Sequence, residues 1–187
     1  MQTVVKIDKY LFELINNRWH NDFFDMLMPF VRNSQTWIPL YLFLLVFVIL
    51  NFEKNKWWWL LFAACIPILT DFISSDLIKN NIPRLRPCND PGMTDTFRFL
   101  LNYRPQSSSF TSSHAANHFA LGTFFYFTFK NKIGKWGHLF FAWATLICYA
   151  QIYVGVHFPL DVICGALVGF TIGYFSSSLF NQKFSLS

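Results

Sequence analysis

The sequence predicts an all-α fold: an integral-membrane helical bundle with five or six transmembrane helices and an N-terminal interfacial amphipathic helix. Composition predicts it first. Of 187 residues, 53% are hydrophobic and only 13% charged, whereas a soluble domain carries about 25% charged residues. Patterning predicts it second, because the charges gather in short polar stretches between long apolar runs. Run length predicts it third, since a membrane-crossing helix needs about 20 mostly apolar residues. The length suits one domain over residues 1–187, with an N-terminal segment 1–34 and a core bundle 35–180.

The first 21 residues alternate apolar with polar positions, so no cleavable signal peptide is expected. Tyr10, Leu11, Leu14 and Ile15 recur at helical spacing among Asp8, Lys9, Glu13 and Asn17, which predicts a helix lying in the interface. Phe23 to Val31 is apolar but short, and holds Asp25 and Pro29; it reads as half of a sixth span or a second interfacial helix. Five fuller stretches follow, at about 35–52, 57–78, 113–129, 136–156 and 159–180. Trp57, Trp58 and Trp59 open the second as an aromatic anchor, and Pro159 suits the first turn of the fifth.

Alternating crossings place loops 51–56 and 130–135 on one side, with the long loop 79–112 and the turn 156–158 on the other. The formal charge of +5 lies in these loops, as basic residues flanking membrane spans do, and calls for no nucleic acid. Cys65, Cys148 and Cys164 sit inside apolar stretches and Cys88 alone in the long loop, so no disulfide framework is expected.

The long-loop side gathers groups suited to phosphoryl transfer. Arg86 offers a planar fork for two phosphoryl oxygens and Lys79 a compact charge. The N–H groups opening the helix at Ser112 and Ser113 form an anion seat, to which the Ser112 hydroxyl adds a donor. His157 has the spacing to be a nucleophile held by Asp161, and His114 the position to protonate a leaving alkoxide. Arg84 reads as an interfacial anchor, and Asp76 as a partner for Lys79 one turn on.

The stretch KNNIPRLRP resembles the first signature of the type 2 phosphatidic acid phosphatase superfamily, relatives of the vanadium haloperoxidases. TSSH is similar to the second, usually Pro-Ser-Gly-His, and AQIYVGVHFPLD to the third, usually Ser-Arg, five residues, His, three residues, Asp. The resemblance covers about residues 35–180. It implies a metal-independent lipid phosphatase without cofactors, acting through a phosphohistidine on a phosphomonoester or diphosphate of a lipid in the bilayer. The phosphatidate, phosphatidylglycerophosphate, isoprenyl diphosphate and lipid A classes all qualify. It also implies that His157 is nucleophile, Asp161 its orienter and His114 the general acid, with Lys79, Arg86, Ser112 and Ser113 binding phosphate. By analogy the protein belongs to a bacterial inner membrane with its active site non-cytoplasmic.

Three positions depart from the family pattern. Thr111 replaces Pro, Ser113 replaces Gly, and Ala150-Gln151 replaces Ser-Arg. Gln151 removes a charge from the phosphate site, and Arg104, the arginine nearest His114 in sequence, is the first candidate to restore it. Two other readings stand beside this one. His114 and His118, four apart, with His157 and Asp161, suit a membrane metal site, and Gln151 suits a non-catalytic lipid-binding member.

Overall fold

In the computed structural model, which describes residues 2–93 and 97–186, seven α-helices and short π and 3₁₀ turns form the ordered elements, with no strand among the described residues. They are α1 Gln2–Glu13, α2 Asp22–Arg32, α3 Ile38–Asn51, α4 Lys56–Asp71, α5 Ser113–Ile133, α6 Leu139–Tyr153 and α7 Pro159–Lys183. The axis is α5, which buries Ala116, Ala120, Phe124 and Phe129 against neighbours on several sides. α7 lies closest to it. A Cβ added at Gly165, Gly169 or Gly173 would come within 2.5, 2.1 or 2.3 Å of the carbonyl oxygens of Ser112, Ala116 and Ala120. Only glycine permits that approach, which holds the first turns of α5 and α7 side by side.

α4 covers another side of α5 with Trp59, whose indole stacks on Phe125 and donates to Thr128 Oγ1 at 3.0 Å. Among the described residues, three helical stretches are long and apolar enough to cross a membrane: Ser34–Asn51, Lys56–Lys79 and Pro159–Lys183. α6, at 15 residues, is shorter than these. α5 is long, but its apolar character is diluted by Asn117, His118, Thr123 and Thr128, which an inner helix carries at less cost than a lipid-facing one. Large apolar side chains such as Phe43, Leu50, Leu61, Ile68 and Phe175 stand exposed around the outside, as a surface bathed in hydrocarbon requires.

α1 continues through a π-helical turn, Leu14–Arg18, and buries Asp8, Phe12 and Asn16 while Tyr10 and Leu11 stay exposed. The polar residues win the buried face because each finds a partner there, as described below. α2 spans 11 residues, about 16 Å at 1.5 Å per residue, well short of a hydrocarbon core of about 30 Å. It lies along α6 with Met28, Val31 and Arg32 buried.

Candidate active site

Four chain segments meet at the end of the bundle where α5 and α7 begin. The first is the end of α4, which changes to a π-helical turn over Phe72–Lys79. That widened turn buries Ser74 and brings Lys79 to the first residue of α5. Lys79 Nζ donates to Ser113 Oγ at 2.6 Å, and Ser74 and Ser75 hydroxyls lie 3.2 and 2.9 Å from the same oxygen. Ser113, which stands where the resemblance has glycine, therefore anchors the lysine. No ion pair joins Lys79 to Asp76 among the described residues, contrary to the sequence expectation. A hydroxyl across the helix interface takes that place.

The second segment is the loop between α4 and α5. Arg86 is 5% exposed. Its Nε and Nη2 donate to the carbonyl and hydroxyl oxygens of Ser107 at 2.8 and 3.0 Å, and its Nη1 to the Val156 carbonyl at 3.3 Å. Nη1 also lies 3.1 Å from His157 Nε2. Because a guanidinium can only donate, Nε2 is the acceptor and the ring proton sits on Nδ1. Nδ1 is 3.8 Å from Asp161 Oδ2 and 3.4 Å from Ser109 Oγ, and Ser109 Oγ donates to that same carboxylate oxygen at 2.6 Å. Burial pushes the His157 ring down to about 4, with the positive charge of Arg86 acting in the same direction and Asp161 opposing it. The imidazole is neutral at physiological pH.

The third and fourth segments are the turn after α6 and the start of α7. Gly155 has φ +87°, and a Cβ there would meet the Arg98 carbonyl oxygen at 2.5 Å, so the turn carrying His157 depends on glycine. Asn16 locks this turn to the loop. Its Nδ2 donates to the carbonyls of Arg98 and Tyr153 at 2.8 and 2.7 Å, and its Oδ1 accepts from Arg98 N at 2.7 Å. At the head of α7 the Phe158 amide donates to Asp161 Oδ2 at 3.0 Å, and the Ser112 amide donates to the Asp161 carbonyl at 3.0 Å.

Lys79, Arg86, Ser113, His157 and Asp161, far apart in sequence, thus meet at one end of the bundle. Ser112 is fully buried, and its hydroxyl caps α5 by accepting from Ala115 N at 3.4 Å. His114, one residue past Ser113, lies within electrostatic range of His157, Lys79 and Arg32. Gln151 is fully buried, and its Oε1 accepts from Arg32 Nε at 3.2 Å. Arg104 is exposed; it donates to the Cys88 carbonyl, two residues past Arg86, at 3.0 Å and sits over the Phe99 ring. The arginine against Gln151 is Arg32, which sequence reasoning passed over because 119 positions separate the two.

Arg84 is no mere anchor. Its Nη1 donates to Asp161 Oδ1 at 2.5 Å and its Nη2 to Asp8 of α1. Asp8 also accepts the Leu160 amide of α7 at 2.8 Å. Ser109 was likewise missed; its only signal is its place in the serine run before His114. His118 turns away from the cluster, with Nδ1 on the His114 carbonyl at 2.7 Å and the ring edge-on to Trp143. Among the described residues, no three His, Cys, Asp or Glu side chains come together as a metal-binding group.

Comparison with known proteins accords with this arrangement. The family model described as "PAP2 superfamily" matches residues 56–185. The lipid A 4'-phosphatase of Porphyromonas gingivalis is 27% identical over 176 residues, covering 94% of this chain and 73% of that protein. The undecaprenyl-diphosphatase of Sulfolobus acidocaldarius is 30% identical over 172 residues, covering 89% of this chain and 75% of that protein. Among solved structures, the transmembrane PAP2-type phosphatidylglycerolphosphate phosphatase of Bacillus subtilis superposes with a TM-score of 0.73 at 18% identity, over 98% of this chain and 89% of that one. With the family model spanning more than half of its length, the chain belongs to the PAP2 superfamily and is a phosphoric ester hydrolase of the membrane.

Proposed function

We propose that the protein removes a phosphate from a lipid through a covalent phosphohistidine at His157, without a metal. The observation that carries this reading is the pair of contacts on the His157 ring: Nε2 accepts from Arg86 Nη1 at 3.1 Å while Nδ1 faces Ser109 and Asp161. A neutral ring held in that tautomer presents the Nε2 lone pair to whatever Arg86 binds.

The lipid phosphate displaces the resting contacts of Arg86 and is held by Arg86, Lys79, the Gln151 amide and the amides opening α5 near Ser113. Ser112 supports that seat by capping the helix. His157 Nε2 attacks phosphorus in line, the phosphorus–oxygen bond to the lipid breaks, and His114 protonates the departing alkoxide. Asp161 stabilises the positive charge that develops on the phosphorylated ring. His114, now neutral, takes a proton from water, which attacks the phosphohistidine and releases inorganic phosphate.

An apolar cavity of about 390 Å³ between α3, α4 and α5, lined in part by Leu44, Leu60, Ala63 and Leu121, accommodates an acyl or prenyl chain beside the first turns of α5. The five longer helices, α3 to α7, cross the bilayer, while α1 lies at its surface with Val4, Ile7 and Leu11 outward. The active end faces the non-cytoplasmic side of a bacterial inner membrane, which leaves Lys54, Lys56, Lys130, Lys132 and Lys135 inside.

The test is phosphate release by the purified protein from a panel holding a lipid A monophosphate, a polyprenyl diphosphate, phosphatidate and phosphatidylglycerophosphate, with and without excess EDTA. Release unaffected by EDTA and abolished in His157→Ala supports the reading. Release that EDTA abolishes and a divalent cation restores contradicts it, and so does full activity in His157→Ala.

A further inference from the structure

Arg32 is 8% exposed. Its Nε donates to Gln151 Oε1, and both terminal nitrogens lie 3.2 Å from the Tyr103 hydroxyl. Among the described residues it forms no ion pair with any carboxylate, and neither do Lys79 and Arg86. The neighbouring arginines differ: Arg84 is paired with Asp8 and Asp161, and Arg98 with Asp25. A buried cation without a direct counter-ion is costly; Arg32 and Arg86 are two such cations, and with the half-buried Lys79 they make this end of the bundle a site suited to an incoming anion. They act on one another: burial is the first cause holding the Arg86 guanidinium below its ordinary value, and the charge of Arg32 contributes.

Gln151 supplies the second observation. Since arginine can only donate, its bond to Oε1 fixes the orientation of the amide, and Nε2 is left buried with no hydrogen-bond partner. Two unused donor hydrogens in a buried site stand ready for an acceptor. The backbone links them to the phosphate end: the Val156 amide donates to the Gln151 carbonyl, and the Val156 carbonyl accepts from Arg86.

We propose that Arg32, reaching from α2 onto Gln151, is a phosphate-binding residue of this enzyme, and that the Arg32–Gln151 pair together does what a single arginine at position 151 does in the family pattern. The guanidinium contributes the charge, and the amide it orients contributes a directed donor. The inference rests on the phosphatase reading above, with inorganic phosphate as the probe.

The experiment measures the dissociation constant of inorganic phosphate from its shift of the melting temperature of detergent-solubilised protein, so that its outcome does not depend on turnover. Four forms are compared: wild type, Arg32→Ala, Arg32→Ala with Gln151→Arg, and Arg18→Ala. The last removes a charge at an exposed ion pair with Glu13. We expect Arg32→Ala to weaken phosphate about 10- to 100-fold, the loss of a hydrogen-bonded charge, and to lower kcat/KM alongside. The double variant should recover most of both, because the new side chain fills the space vacated, while Arg18→Ala stays at wild type. Wild-type phosphate affinity in Arg32→Ala overturns the proposal, as does a folded double variant that recovers nothing. Should Arg32→Ala not fold, Arg32→Gln keeps a donor towards Gln151 but not the charge, and wild-type affinity there overturns it equally. Turnover separates the two readings: an Arg32→Ala enzyme as active as an active wild type sinks this inference alone, whereas a wild type inert on every lipid phosphate sinks the reaction itself.

Discussion

Arg84 Nη1 lies 2.5 Å from Asp161 Oδ1, and the same guanidinium reaches Asp8 of the N-terminal helix. The arginine occupies one oxygen of the Asp161 carboxylate, which leaves the other for Ser109 and the His157 ring. α1 is thereby coupled to the residue that orients the proposed nucleophile.

Asp8→Asn tests that coupling. The substitution keeps an acceptor for the Leu160 amide but removes the charge facing Arg84. Breaking a buried pair by neutralising one partner costs about 3 kcal/mol. The variant should melt lower, and kcat should fall about tenfold with KM little changed, because substrate-binding groups stay in place. Thermal unfolding in detergent and steady-state kinetics check both; a changed KM with unchanged kcat would place Asp8 at the substrate instead.

Gly169→Ala should be among the most damaging single-methyl changes in the chain. Its Cβ would come 2.1 Å from the Ala116 carbonyl oxygen, so α7 must move off α5, at about 3 kcal/mol for an overpacked contact. The displacement also separates Ser112 from Asp161, whose backbones are joined across that interface. A melting temperature close to wild type would show that the helices part more easily than the geometry implies.

The charge state of His157 gives a pH signature. Burial lowers its folded-state value to about 4, whereas an exposed imidazole titrates near pH 6.5. Between about pH 6.5 and 4 the unfolded chain binds a proton that the folded one refuses, so this group subtracts stability as the pH falls through that window. Nitrogen NMR of histidine-labelled protein should find, at about pH 5, a signal from a neutral ring protonated on Nδ1 that His157→Gln removes. Titration of the same ring near pH 6.5 would contradict the assigned environment.

Ala63 lines the apolar cavity beside α5. Ala63→Phe should raise KM for long-chain lipid phosphates by about tenfold while affecting short-chain analogues much less, since filling the cavity removes burial of chain methylenes at ~0.8 kcal/mol each. Equal effects on both chain lengths would place the lipid chain elsewhere.

The sequence carries the parts of this site that are local in the chain. The spacings from Lys79 to Arg86 and from His157 to Asp161, and the cap at Ser112, are set within one loop or one helix turn. The groups that complete the surroundings are not local. Asp8 meets Arg84 across 76 positions and Arg32 meets Gln151 across 119, and no periodicity encodes such pairings. For the same reason the pattern of α1 does not say which of its residues meet the bundle: the partners of Asp8 and Asn16 hold that side inward and leave Tyr10 and Leu11 outward. One signal was present without being read. Gly165, Gly169 and Gly173 recur every fourth residue, the spacing by which two helices in a membrane approach at backbone distance.

The central claim is a covalent bond between phosphorus and His157 Nε2, and it is tested most directly by trapping. Enzyme mixed with radiolabelled lipid phosphate, quenched in alkali within the first turnover and digested, should yield one labelled peptide, the one containing His157, whose phosphate is lost in acid and stable in base. Label on a serine, label on His114, or turnover with no protein-bound phosphate at any quench time would contradict it.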